Sequence, residues 1–187
     1  MGFSLDGYVV GPDGGFEWTE PDPEVFRFAT DQIREVGVHL LGRRLYETML
    51  AWETVDPADP TVDETMGEWA RLWLALPKVV FSTTLTAVEG SNTRLATGTL
   101  AEEIAALRAE GAESGAGAGD IAIGGPTLAH QAAELGLIDE YRTRIHPVLV
   151  GGGIPYFARG LGQVDLELLE TRTFPSGVVY LRQRVRR

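Results

Sequence analysis

The chain has 187 residues, no cysteine and a formal net charge of −11 at neutral pH. That length suits one globular domain, residues 1–187, with a single sizeable core, and the absence of cysteine excludes disulfides, thiolate nucleophiles and Cys-ligated metals. The acid surplus argues against a nucleic-acid partner, and no apolar run approaches the roughly 20 residues needed to cross a bilayer.

The opening residues Met1-Gly2-Phe3-Ser4-Leu5-Asp6 lack the basic leader and small-residue cleavage site of a signal peptide, so a cytoplasmic location is expected. The strand pattern starts abruptly at Met1, which suggests that further native residues precede it. Phe3 to Val10 reads as a strand, closed by the breaker cluster Gly11 to Gly15. Pro23 to Gly37 reads as a helix, with Val25, Phe28, Ala29 and Ile33 on one stripe and Gly37 as its stop. Val38 to Leu41 is a buried strand running into Gly42 and a short helix, and Met66, Trp69, Ala70 and Trp73 form a second helical stripe. Lys78 to Phe81 is the next strand. Leu100, Ile104 and Leu107 mark a helix that runs into the low-complexity stretch Gly111 to Gly119, read as a surface loop. Ile121 to Ile123 is a strand and Pro126 to Leu135 a helix. The remainder reads as strands over Tyr141 to Val150, Asp165 to Thr173 and Val178 to Val185. Alternating β and α elements followed by strands alone imply an α/β fold with a mostly parallel sheet and antiparallel strands at one edge.

In such a sheet ligands collect at the carboxyl ends of the strands, and three strand ends carry more than packing residues. At Leu41-Gly42-Arg43-Arg44 a glycine opens a helix, so free backbone N–H groups and two forked guanidinium groups meet where a phosphate would be held. The plainer reading pairs the arginines with Glu47. At Phe81-Ser82-Thr83-Thr84 consecutive hydroxyls suit either ribose and phosphate or an ordinary turn cap. At Ile123-Gly124-Gly125-Pro126-Thr127-Leu128 paired glycines allow either close approach of a pyrophosphate or a tight β–α turn.

Elsewhere, Ser4-Leu5-Asp6-Gly7-Tyr8 places a polar group in an apolar strand. Asp6 is either a proton relay with a shifted pKa or a turn cap at Gly7. Trp18 stands in a Pro/Asp/Gly-rich loop suited to bordering a substrate pocket, and Gly152 lies in a glycine turn that is either a wall over substrate or a long β connection. His39, His130 and His146 are scattered without metal-ligand spacing, so no metal site is expected; His39 reads as a satisfied core residue.

Together, SLDGY at Ser4–Tyr8, LLGRRLYE at Leu40–Glu47, KVVFST at Lys78–Thr83, IAIGGPTL at Ile121–Leu128 and LIDEYRTRIHPVLVGGG at Leu137–Gly153 resemble, in order, the dihydrofolate-reductase-like superfamily, and within it the RibD C-terminal (riboflavin-biosynthesis reductase) family. The resemblance implies a three-layer α/β/α fold with NADPH bound across the strand ends. It implies that Gly42, Arg43 and Arg44 hold phosphates, Ser82 and Thr83 contact the adenosine side, and Gly124, Gly125, Thr127 and Leu128 line the pyrophosphate and nicotinamide ribose. Ser4 and Asp6 would face the nicotinamide and substrate as the catalytic pair, with Tyr8, Trp18, Glu24 and Gly152 about the substrate. The implied activity is that of an NADPH-dependent reductase resembling 5-amino-6-(5-phosphoribosylamino)uracil reductase, acting on a pterin- or aminopyrimidine-like small molecule as a homodimer.

Two departures stand out. The folate-binding carboxylate of the superfamily would fall at Phe26, with Glu24 the nearest acid, and the basic residue usual after SLDG in riboflavin-pathway members is Tyr8. Both point to a non-catalytic NADPH-binding dimer serving as sensor or accessory protein, and the first argues against the other alternative, a dihydrofolate reductase.

Overall fold

The computed structural model describes residues 1–113, 119–157 and 160–187. In chain order the elements are β1 (Gly2–Ser4), β2 (Tyr8–Val10), α1 (Pro23–Ile33), β3 (Val36–Gly42), α2 (Arg43–Met49), α3 (Glu64–Ala75), β4 (Lys78–Phe81) and β5 (Thr93–Leu95). They continue with α4 (Leu100–Glu113), β6 (Asp120–Gly124), α5 (Pro126–Glu134), β7 (Glu140–His146), β8 (Ile154–Pro155), β9 (Leu166–Thr173) and β10 (Val179–Val185). Two compact units form: Met1–Val25 with His130–Arg187, and Phe26–Ala129.

The Phe26–Ala129 unit holds a four-stranded parallel sheet in the order β5-β4-β3-β6. Leu40, Leu41, Val79 and Val80 are almost fully buried, the continuous apolar reading that a strand takes when both faces are covered. Ile33, Tyr46, Trp73 and Leu76 join Leu41 and Val80 in the core, with Trp52 and Trp69 packed against them. Each apolar side chain so buried contributes about 1.5–3 kcal/mol. Asp63 caps α3 by accepting from the amides of Thr65 and Met66. The Lys78 ammonium closes the far end of that helix, donating to the carbonyls of Trp73 and Leu76.

The other unit carries a mixed sheet, β1-β7-β10-β9, and a two-stranded sheet, β2-β8. β1 runs parallel to β7, whereas β10 pairs antiparallel with both β7 and β9. The α/β class read from the sequence therefore holds, with parallel pairing in one unit and the antiparallel C-terminal strands in the other.

Several boundaries differ from the sequence reading. The single strand expected over Phe3 to Val10 is two, because the Gly7 amide donates to the Ser4 carbonyl and the Tyr8 amide to Ser4 Oγ, closing a turn between them. The first helix stops at Ile33 rather than Gly37, since β-branched Val36 and Val38 commit Gly37 to β3. α4 continues through Gly111-Ala112-Glu113, where a loop was expected, and residues 114–118 of that stretch lie outside the described residues. Met66 is exposed, so the α3 stripe rests on Trp69, Ala70 and Trp73. β5 and β8, of three and two residues, are too short to show any periodicity.

The strongest polar lock in the Phe26–Ala129 unit is Glu103, nearly buried at the start of α4. It accepts two bonds from the Arg94 guanidinium, at 3.1 and 2.6 Å, and one from the Thr97 amide. Chiefly through Arg94, these donors hold its carboxyl down at about 2. A depressed carboxylate contributes stability above its unfolded pKa and loses it on protonation. Glu103→Gln should lower unfolding free energy at pH 7 by about 1.5–3 kcal/mol. Urea titrations should show the wild-type advantage vanishing as pH falls from about 4.5 towards 2.

Candidate functional site

In the parallel sheet, register brings three strand ends into line. Leu41 of β3 pairs with Gly124 of β6, and Gly42 with Phe81 of β4. The segments Gly42–Arg44, Ser82–Thr83 and Gly124–Leu128 thus leave adjacent strands at one carboxyl edge, as the sequence reading required. The α2 N-terminus at Gly42 has no side-chain cap and no acidic residue in its first turn, so its leading N–H groups stay available to an anion. Arg43 pairs with Glu47 at 3.0 Å, the plainer of the two readings. The Arg44 guanidinium is exposed and paired with no other described residue.

The glycine pair shapes the floor of this edge. A Cβ on Gly124 would sit 2.5 Å from Leu45 Cδ2 and 2.8 Å from His39 Nε2, so the close packing there needs a bare backbone. Gly125 has φ +94°, and a Cβ there would lie 3.5 Å from the Gly42 amide nitrogen. Leu128 is buried behind Gly42, which leaves its main chain rather than its side chain for any ligand, and Thr127 is exposed. Ser82 Oγ accepts from the amides of Thr84 and Leu85, capping the turn, while Thr83 is exposed. His39 is a correction to the sequence reading: its ring packs edge-on to Trp73, but Nδ1 is buried without a hydrogen-bond partner. Burial, with the Lys78 charge adding to it, pushes its pKa down to about 4, so the ring is neutral.

The other unit gathers Ser4 and Asp6. Ser4 Oγ–H donates to Asp6 Oδ1 at 2.6 Å, and the Asp6 carboxylate accepts from the amides of Gly151 at 2.7 Å and Val150 at 3.2 Å. Asp6 lies exposed in the β1–β2 turn, not inside a strand, and the Ser4 hydroxyl above all, with those amides, holds its carboxyl below the ordinary range. It is therefore an ionised acceptor at neutral pH that ties the glycine turn containing Gly152 to the first strand. Tyr8 lies on β2 opposite Pro155. Trp18 meets the His146 ring edge-on at 5.8 Å. Glu24 is ion-paired with Arg172 at 2.8 Å, and Phe26 stacks on Trp52 at 6.0 Å. Asp22, which the sequence reading did not single out, starts α1 by accepting from the amides of Glu24 and Val25, and Asp22-Pro23 is the cap-then-proline signature of a helix start.

This architecture, a parallel strand-end cradle with antiparallel C-terminal strands, is dihydrofolate-reductase-like. The model of the RibD C-terminal domain matches residues 1–180, and the chain belongs to that family. It is 30% identical over 182 residues to the uncharacterized protein YyaP of Bacillus subtilis (strain 168), covering 97% of this chain and 90% of that protein. A candidate riboflavin biosynthesis protein from Shewanella sp. PV-4 superposes with a TM-score of 0.76 at 22% identity, covering 100% of this chain and 97% of that one. RibD of Acinetobacter baumannii gives a TM-score of 0.64 at 17% identity; all of this chain matches 57% of that longer one.

Two substitutions probe the two clusters. Gly124→Ala should cost about 1–3 kcal/mol in a urea melt, because Leu45 and His39 must both move to admit the methyl group. Asp6→Asn should free the glycine turn, and hydrogen exchange at the Val150 and Gly151 amides should rise about tenfold as charge-assisted bonds become neutral ones.

Proposed function

We propose that the chain is an NADPH-dependent reductase acting on a small nitrogen heterocycle, in the manner of a 5-amino-6-(5-phosphoribosylamino)uracil reductase. The observation that carries this reading is the alignment of Gly42, Phe81 and Gly124 at one carboxyl edge, with an uncapped helix start and a glycine pair side by side. Family membership supports it, as does the likeness in fold to a pyrimidine reductase-like protein of Corynebacterium diphtheriae, at a TM-score of 0.59 and 15% identity. The residues fit the cofactor. The bare backbone at Gly124 and Gly125 and the uncapped amides after Gly42 suit its pyrophosphate, and Arg44, paired with no other described residue, suits its 2′-phosphate. When bound, the cofactor supplies the hydride.

The chain's own residues bind and orient. Ser4 and Asp6 fix the glycine turn through three backbone and side-chain partners, and Asp6, being ionised, accepts hydrogen bonds rather than delivering a proton. That property favours a second reading, cofactor binding without turnover, in a sensor or accessory protein. Dihydrofolate reduction is the weaker alternative, since Glu24 is engaged by Arg172 and Phe26 by Trp52. We place the protein in the cytoplasm as a homodimer, a state to which the sheet-edge strand β9, with Leu168 exposed, is suited.

Fluorescence titration with NADPH and NADH tests the reading. NADPH should bind at least tenfold more tightly, and Arg44→Ala should remove most of that preference, the loss of one charge-assisted phosphate contact. Failure of both cofactors to bind would end it. Binding with no oxidation across a panel of pterins and aminopyrimidines would favour the non-catalytic alternative.

A further inference from the structure

We infer that Tyr46 and Glu53 are positioning residues for the adenosine half of the cofactor, because together they fix the course of the segment 82–92. The inference rests on the reductase reading and deepens it at the same strand ends. The segment lies between β4 and β5 and has neither helix nor strand of its own. Strand register sets where it begins, at Ser82, beside the Gly42 end of β3. A loop without regular structure keeps one course only where its backbone groups find partners elsewhere.

Tyr46 supplies the first anchor. Successive helical residues are turned by about 100°, so Arg44 and Tyr46 point to different sides of α2. Arg44 is exposed, whereas Tyr46 is 6% exposed and its ring joins the core with Leu41, Trp73 and Val80. The hydroxyl at the tip of that ring accepts from the Glu89 amide at 2.8 Å and donates to the Glu89 carbonyl at 3.2 Å. One hydroxyl thus satisfies both backbone groups of a loop residue, using its single proton and a lone pair.

Glu53 supplies the second anchor, from the 3₁₀ turn Leu50–Thr54 that follows α2. Its Oε2 accepts from the Ser91 amide at 2.9 Å, and a Cβ on Gly90 would fall 3.1 Å from its Oε1. Gly90 has φ +97°, which lets the chain turn beneath that carboxylate. Between β4 and the anchors, Leu85 and Val88 pack on the core and Ser82 Oγ caps the first turn. The result is a closed frame running from β3 through Gly42, α2 and Tyr46 to Glu89, and back through Ser82 to β4. Among its exposed groups are Arg44, Thr83 and Thr84, a cation and two hydroxyls of the kind that hold a phosphorylated ribose. A frame already in place spares binding the cost of ordering the loop.

Calorimetric titration with adenosine 2′,5′-bisphosphate, the adenosine half of NADPH alone, tests the inference. Wild-type protein should bind it saturably. Tyr46→Phe keeps the ring and removes the hydroxyl, and should weaken binding about five- to tenfold. NADPH affinity should fall by the same factor, since the whole loss lies on the adenosine half. Glu53→Ala should behave like Tyr46→Phe, whereas Glu53→Gln, which keeps an acceptor for the Ser91 amide, should bind within about twofold of wild type. Asp63→Ala, which removes the cap of α3 in the same unit and so lowers stability, should bind as wild type. Absence of binding, a Tyr46→Phe affinity within about twofold of wild type, or equal weakening by Asp63→Ala would overturn the inference. If Tyr46→Phe does not fold, the contrast between Glu53→Ala and Glu53→Gln decides. Failure of the reductase reading is distinguishable. Tyr46-dependent binding of the bisphosphate by protein that binds neither NADPH nor NADH keeps this site and removes the reductase; NADPH binding that Tyr46→Phe leaves unchanged does the reverse.

Discussion

The register of β3 between β4 and β6 is the constraint on which the candidate cofactor edge depends. Parallel strands pair with evenly spaced, slanted hydrogen bonds, so a slip of one residue would turn every side chain to the opposite face. Here a slip would carry Leu40, Leu41, Val79 and Val80 out of an environment where they are almost wholly buried. Burial therefore pins Leu41 opposite Gly124 and Gly42 opposite Phe81, and the three connecting loops emerge together. Where those loops begin needs no separate ordering, because the apolar interior of the strands has already set it. The glycines then decide what occupies the edge: any side chain at Gly124 would meet Leu45 and His39.

In the second unit two carboxylates each hold backbone amides in place. Asp6 is exposed yet fully employed, with a hydroxyl and two amides converging on it, so its charge is spent on holding a turn. Asp22 lies at a helix start, where one oxygen accepts from the amides of Glu24 and Val25. Glu24, in the first turn of the same helix, is ion-paired with Arg172.

What was legible from the sequence came from periodicity and from breakers. The helices α1, α3 and α5 and the strands β3, β4, β6, β9 and β10 were read within a few residues, because each is long or apolar enough to show its repeat. β5 and β8 were not, having too few residues to express a period of two. The split of the first strand at Asp6-Gly7 was hidden for another reason: Phe3, Tyr8, Val9 and Val10 all favour strand, and only hydrogen bonds to Ser4 reveal the turn. The strand-end glycines and Arg43-Arg44 were visible as candidates.

The sequence alone determined the α/β class, the order of most elements and the three strand ends that carry glycines, arginines and hydroxyls, because hydrophobic period, glycine and proline act locally. Tertiary structure decided which polar groups are satisfied. That Asp6 closes on Gly151 and that Glu24 meets Arg172 are outcomes of packing between segments far apart in the chain, whereas the Arg43–Glu47 pair lies within one helix. Hydrogen bonding and desolvation depend on distance in space, and a sequence records only distance along the chain.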